Sequence, residues 1–203
     1  MIEVDVAAKW FGQTQVLRDI RFGVAPGETL ALLGPSGIGK STLLRIVAGI
    51  DATFEGSVRR PDRMAIVFQE PVLLDWRSAL DNLRLVHPDL SRDAAQAALE
   101  DVGLGTKAQH YPGQLSLGQQ RRLALARGFA GRPELLIMDE PFASLDAKTA
   151  DEMLGLTERL IARIRPATIF VTHARPEADR LADRTLTLAG HPATRESMLQ
   201  KET

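Results

Sequence analysis

Cysteine is absent from the 203 residues, so disulfide bonds and thiolate metal sites are excluded, and a reducing compartment fits. Long apolar runs are absent too. None approaches the roughly 18 residues that a membrane-spanning helix needs, so any work at a membrane is expected to be done by docking to it. Neither sign of charge dominates. With 25 Lys plus Arg against 26 Asp plus Glu, the net charge is −1, which leaves a local basic patch as the only electrostatic basis for binding nucleic acid. The start, MIEVDVAAKW, has no basic segment leading into an apolar core, so no secretory signal is expected. What is present is 44% apolar residues, enough to fill the core of one domain with room for a small subdomain.

Short β-rich runs occur at Ile2 to Val6, Thr29 to Leu33, Met64 to Phe68, Leu135 to Met138, Thr168 to Thr172 and Thr185 to Leu188. Several are uninterrupted apolar runs, as strands buried on both faces of a parallel sheet require. Helical patterns fall between them, after Lys40, from Leu117 to Phe129 and from Ala147 to Arg165, and the alternation indicates an α/β fold. Asp75 to Gln114 breaks the rhythm. Ser91 can cap a helix over Arg92 to Val102, and Gly103 and Gly105 can end it. Periodicity leaves two readings open for this stretch, a helical insert or a helix pair covering the sheet. The residues from His191 onward read as a surface tail, and His87, His110 and His191 as surface residues.

The run Gly34, Pro35, Ser36, Gly37, Ile38, Gly39, Lys40, Ser41, Thr42 completes the pattern G-x-x-x-x-G-K-[ST] between an apolar strand and a helix. Glycines let the backbone approach phosphate and turn its N–H groups inward, and the helix start adds a favourable dipole. Lys40 is the candidate for the β- and γ-phosphates of a nucleotide, and Ser41 for a Mg²⁺ ion. A second feature supports the first. The apolar run Leu135 to Met138 ends in Asp139 and Glu140, two carboxylates at a strand's C-terminal end, where open α/β sheets place their ligands. Asp139 can join the metal shell, and Glu140 can take a proton from an attacking water. By itself the loop does not distinguish a kinase, a GTPase or a motor.

Further motifs follow in order: Gln69 in VFQEP, LSLGQ at 115–119, SLD at 144–146 and VTH ending in His173. With the loop and the acidic pair, the chain closely resembles the ATPase subunits of ABC transporters over nearly its whole length. The resemblance implies a P-loop NTPase core with a mainly parallel sheet, an N-terminal antiparallel β portion and a helical subdomain over about 75–130. It implies ATP and Mg²⁺ as cofactors, with Gln69 near the metal or the water and His173 on the γ-phosphate. It implies that an aromatic before Gly12 stacks on adenine, namely Phe11 with Trp10 as competitor, either of which could instead pack in the core. Ser116 stands where the helix from Leu117 needs its N-cap, and in this family that helix start acts in trans. Ser116, Gly118 and Gln119 would then complete the nucleotide site of a second copy, and Asp146 would help to join the two sites.

Two positions depart from the family pattern. Leu117 replaces a usual glycine, and its side chain either crowds the partner's nucleotide or points outward. Gly128 replaces a usual alanine inside the helix, at a cost of about 1 kcal/mol. The segment EPVLLDWRSALDNLRL resembles importers of the nitrate, sulfonate and taurine group. The resemblance makes Leu74, Trp76 and Arg77 candidates for docking a transmembrane permease, with Trp76 as an anchor of the insert the plainer alternative. It implies a homodimer peripheral to the cytoplasmic face of the membrane, an indirect solute-binding partner and no C-terminal regulatory domain. The rival functions are an ABC-type ATPase acting on DNA or ribosomes, and a nucleotide-binding regulator without turnover.

Overall fold

The computed structural model describes residues 1–200, and these form two compact units. The first comprises Met1–Ile66, Glu134–Glu140 and Arg165 onward; the second comprises Val67–Pro133 and Pro141–Ile164.

The first unit is built on two sheets. Strands β1 (Ile2–Phe11), β2 (Thr14–Val24) and β4 (Glu55–Arg59) form a sheet in the order β2-β1-β4, antiparallel throughout. The second sheet has the order β5-β6-β7-β3-β8-β9, with β3 (Thr29–Leu33), β5 (Met64–Val67), β6 (Leu135–Asp139), β7 (Ala167–Val171), β8 (Arg184–Ala189) and β9 (Thr194–Gln200). Strands β3, β6, β7 and β8 run parallel. Every residue of β3 and β7 is buried, which is why both read as continuous apolar runs. One core joins the sheets, with Val4, Val6 and Ile20 from the first and Leu30, Leu32, Ile137 and Ile169 from the second. Helices α1 (Lys40–Val47) and α6 (Arg175–Leu181) complete the unit.

The C-terminal reading changes here. The expected surface tail from His191 is strand β9 over Thr194–Gln200, antiparallel to β8, and residues 201–203 lie outside the described residues. Ala193 also exchanges backbone hydrogen bonds of 2.9 Å with Val16 and Arg18 of β2. Strand β9 has a half-exposed sequence, TRESMLQ, so its ladder partners rather than its apolar content make it a strand.

The second unit is helical: α2 (Ala79–Arg84), α3 (Arg92–Asp101), α4 (Leu117–Ala130) and α5 (Ala147–Ile164). Helix α3 packs on α2 and α4, and α4 on α5. Ser91 caps α3 by accepting from the Ala94 N–H at 3.1 Å, and Gly103 follows the helix at φ 73°. His87 is half-buried rather than a surface residue, because its Nε2 bonds the Arg127 carbonyl at 2.7 Å. His110 is half-buried as well, and His191 is exposed.

Candidate functional site

In the first unit, three neighbouring parallel strands end on one row: Leu32 of β3 and Asp139 of β6 both pair with Val171 of β7. The turns that leave this row carry the phosphate loop, the acidic pair and His173.

The loop depends on glycine at two packed positions. Gly34 has φ 150°, and a Cβ there would lie 2.8 Å from the Leu188 carbonyl oxygen. Gly39 has φ 109°, and a Cβ there would meet Leu17 Cδ2 at 2.7 Å. Gly39 is also the N-cap of α1, with no side-chain cap and no acidic residue in the first turn. The helix therefore starts with unpaired N–H groups and no acidic residue of its own beside them, as suits an anion site. Lys40 is only 5% exposed, and its Nζ donates to the carbonyls of Gly34 and Pro35, each at 2.8 Å. Burial lowers its pKa, opposed by the charges of Glu140 and Asp139.

The Ser41 hydroxyl donates to Asp139 Oδ1 at 3.3 Å, so two oxygen donors from α1 and β6 stand side by side. Burial raises the Asp139 pKa, opposed first by that hydrogen bond. Glu140 sits in left-handed backbone, φ 46°, and its N–H donates to the Val171 carbonyl at 3.0 Å. Such a conformation costs a non-glycine residue about 1–3 kcal/mol. The Glu140 carboxylate faces His173, with Oε2 to Nδ1 at 3.6 Å, beyond hydrogen-bond length. The structure thus brings Lys40, Ser41, Asp139, Glu140 and His173 to one end of one sheet. An anion fits the loop, and a hard divalent cation fits Ser41 with Asp139, since such ions take few protein oxygens beside phosphate oxygens.

Trp10 and Phe11 lie at the tip of the β1–β2 hairpin. They are 45% and 54% exposed, which sets aside the core-packing alternative for both. Phe11 has a cation on its ring: Lys9 Nζ lies 4.6 Å from the centroid, and the same atom is held by Asp51 at 2.6 Å and the Thr53 carbonyl at 2.7 Å. No sequence signal pointed to this arrangement.

The helical unit holds the remaining sequence-predicted residues. Gln69 is exposed, two residues beyond the end of β5. Ser116 is the N-cap of α4, and it forms a reciprocal box with Gln119: Ser116 Oγ accepts from the Gln119 N–H at 3.3 Å, and Gln119 Oε1 accepts from the Ser116 N–H at 3.1 Å. Leu117, at the first helical position, is 52% exposed, as both of its readings require. Asp146 accepts from the Thr149 N–H at 3.0 Å and the Thr149 hydroxyl at 2.6 Å, and those bonds lower its pKa.

In the same unit the loop before α2 puts Trp76 at 70% exposure, which removes its reading as a core anchor. Leu74 is half-buried and Arg77 exposed. Sequence reasoning missed what holds this loop. Asn82, wholly buried, accepts from the Leu74 N–H at 2.9 Å and donates to the carbonyls of Leu74, Arg77 and Ser78 at 3.0–3.1 Å. Arg127 donates to the carbonyls of Pro71 and Val72 at 3.0 and 2.9 Å.

Comparison with known proteins gives one consistent result. The family model for ABC transporters matches residues 17–143. The aliphatic sulfonates import ATP-binding protein SsuB 1 of Paracoccus denitrificans is 47% identical over 181 residues, covering 88% of this chain and 75% of that protein. The aliphatic sulfonates import ATP-binding protein SsuB 2 of Pseudomonas syringae is 43% identical, covering 93% of this chain and 69% of its own length. Among solved structures, a dimeric ATP-binding cassette in a post-hydrolysis state bound to ADP and Pi superposes with a TM-score of 0.85 at 27% identity, over the full length of both chains.

Proposed function

This chain belongs to the ABC transporter family, and we propose that it is the ATP-hydrolysing subunit of a membrane importer whose solute is a small sulfonate. The observation that carries the reading is the row of strand ends. A phosphate loop, a metal-competent oxygen pair and a carboxylate facing a histidine all leave the same end of β3, β6 and β7. The sulfonate class rests on the names of the relatives, because the transported molecule is not expected to touch this subunit.

In this reading ATP lays its phosphates on the N–H groups of residues 34–42 and the start of α1. Lys40 turns from the carbonyls of Gly34 and Pro35 to the β- and γ-phosphates, an exchange made easier because the ammonium is already desolvated. Ser41 and Asp139 would hold Mg²⁺, which would supply positive charge to offset the charge that develops on the phosphates. Glu140 accepts a proton from water as its oxygen attacks the γ-phosphorus in line and the bond to the bridging oxygen breaks, releasing ADP. His173 donates a hydrogen bond to the γ-phosphate. Phe11 stacks on the adenine, with Lys9 fixing the ring from the other side. Gln69 keeps the role that the family resemblance gives it, beside the metal and the water.

Turnover needs two copies in this proposal. The Ser116-capped start of α4, with Gly118 and Gln119, closes over the γ-phosphate on the partner, and Asp146 joins the two sites. Leu117, exposed at the first position of α4, then meets the partner. The loop carrying Leu74, Trp76 and Arg77 docks the permease, which in turn receives solute from a binding protein. No helix among the described residues is long and apolar enough to cross a membrane, so attachment through the permease accounts for the membrane role.

The test is reconstitution of this chain with its permease in vesicles. ATP-dependent uptake of a labelled alkanesulfonate, lost in Lys40→Ala, is the expected result. Vigorous hydrolysis stimulated by DNA or ribosomes, with no sulfonate uptake, would overturn the proposal in favour of the non-transport reading.

A further inference from the structure

The turn that presents His173 is held from both sides by a pair of side chains to which the mechanism gives no role. Strand β7 ends at Val171 and α6 begins at Arg175, with Ala174 as its N-cap. Alanine has no side-chain acceptor, so α6 has no side-chain cap at this position, and only the Ala174 carbonyl accepts from the helix, from the Glu177 N–H at 3.1 Å. The N-cap's own N–H finds its acceptor upstream: the Ala174 N–H donates to Thr172 Oγ1 at 3.0 Å. Thr172 is 2% exposed, and its hydroxyl donates in turn to the Glu177 carboxylate. Glu177 is the third residue of α6, from which the glutamate of a capping box ordinarily reaches the N-cap N–H directly. Here it reaches that N–H through Thr172. The Thr172 N–H is also tied to the Leu32 carbonyl of β3 at 3.3 Å.

The residues on either side of His173 are thereby fixed, while the His173 side chain is 62% exposed and faces Glu140 at 3.6 Å. We propose that Glu177, acting through Thr172, is a positioning residue for His173: it sets the backbone from which the imidazole reaches the γ-phosphate and Glu140. The inference rests on the reading of His173 as a γ-phosphate ligand. It differs from a plain helix cap in what it predicts for turnover.

Five substitutions in the full chain, at Thr172, His173, Ala174 and Glu177, separate the two roles. Thr172→Val removes the hydroxyl at nearly constant shape, Thr172→Ser keeps it, and Ala174→Asp gives α6 a cap of its own. The inference predicts that Thr172→Val and Glu177→Ala lower kcat for ATP about tenfold with KM little changed. Thr172→Ser keeps kcat near the parent value. Adding Ala174→Asp to Glu177→Ala restores the melting temperature but not kcat. In a His173→Ala background, Thr172→Val causes no further loss of kcat, as expected of a residue acting through the histidine. The inference is overturned if folded Thr172→Val turns over at the parent rate, if its loss adds to that of His173→Ala, or if Ala174→Asp restores kcat. Full turnover in His173→Ala would sink the reading of the histidine itself. Turnover lost in His173→Ala but intact in Thr172→Val would sink the positioning role alone.

Discussion

The phosphate loop at residues 34–42 and the loop before α2 are held in opposite ways. In the first, the loop's own residues do the holding: glycines fit against Leu188 and Leu17, and Lys40 folds back on the carbonyls of Gly34 and Pro35. In the second, outside residues do it. Asn82 and Arg127 grip the backbone from Pro71 to Ser78, and Trp76 and Val72 are left exposed. One loop is held without a side chain on its N–H groups, and the other is held through its backbone with its side chains left exposed. A loop that binds phosphate cannot let other side chains occupy its N–H groups. A loop that presents a tryptophan has its backbone satisfied elsewhere, because unmet buried polar groups cost about 1–3 kcal/mol each.

The largest effect expected lies at the strand ends. Glu140→Gln should lower kcat by about 10²–10⁴, the usual range for a lost general base, and should still bind ATP. Steady-state hydrolysis with size-exclusion chromatography in ATP checks both halves, and undiminished turnover would move the base elsewhere. Next is Asn82→Ala, which strands the bonds to Leu74, Arg77 and Ser78. A loss of about 3 kcal/mol in urea unfolding is expected, with ATP binding by the phosphate loop preserved in the folded fraction.

A smaller effect, and one that raises stability, is expected at Asp139. Burial holds its carboxyl above the ordinary carboxylate range, so the folded state binds that proton more tightly than the unfolded chain does. The tighter binding favours folding below the ordinary carboxylate pKa, and the advantage is lost as pH rises through the raised folded value. Asp139→Asn should therefore raise the melting temperature of the nucleotide-free chain at neutral pH by about 2 °C. The gain should vanish in acid, and Mg²⁺-dependent hydrolysis should be lost. A variant less stable than the parent at neutral pH would contradict the burial cost. The smallest change in stability belongs to Trp76→Ala, within about 0.5 kcal/mol, because the side chain is exposed. Basal hydrolysis should stay and permease-stimulated hydrolysis should fall. If Trp76→Ala were as destabilising as Asn82→Ala, the contrast between the loops would fail.

Legibility from sequence followed burial. Strands β3, β6 and β7 were readable because both faces are covered, so each appears as an apolar run. Strand β4, with the sequence EGSVR, and strand β9, with TRESMLQ, carry little apolar signal and exist through their ladders with β1 and β8. Strand β2 did alternate, with Leu17, Ile20, Phe22 and Val24 buried, and could have been found by its period of two in its C-terminal half. At the site, Lys40, Ser41, Asp139, Glu140 and His173 were legible because each lies in a contiguous motif. The Lys9 contact with Phe11, the grip of Asn82 and Arg127, and the Thr172–Glu177 brace were not. Their residue types are ordinary, and only their separations in space give them partners.

The sequence by itself determined that a phosphate loop follows a buried strand, that two carboxylates end another, and that the ordered motifs place the chain among ABC transporter ATPases. Glycine, lysine and acid at fixed spacing carry that chemistry wherever the chain runs. Only the tertiary structure decided that Leu117 and Trp76 are exposed, that the residues after His191 include a strand, and that His173 stands on a turn whose Thr172 bonds both Glu177 and the Ala174 N–H. Those outcomes depend on which distant groups share a hydrogen bond or a face, and local residue order does not encode that.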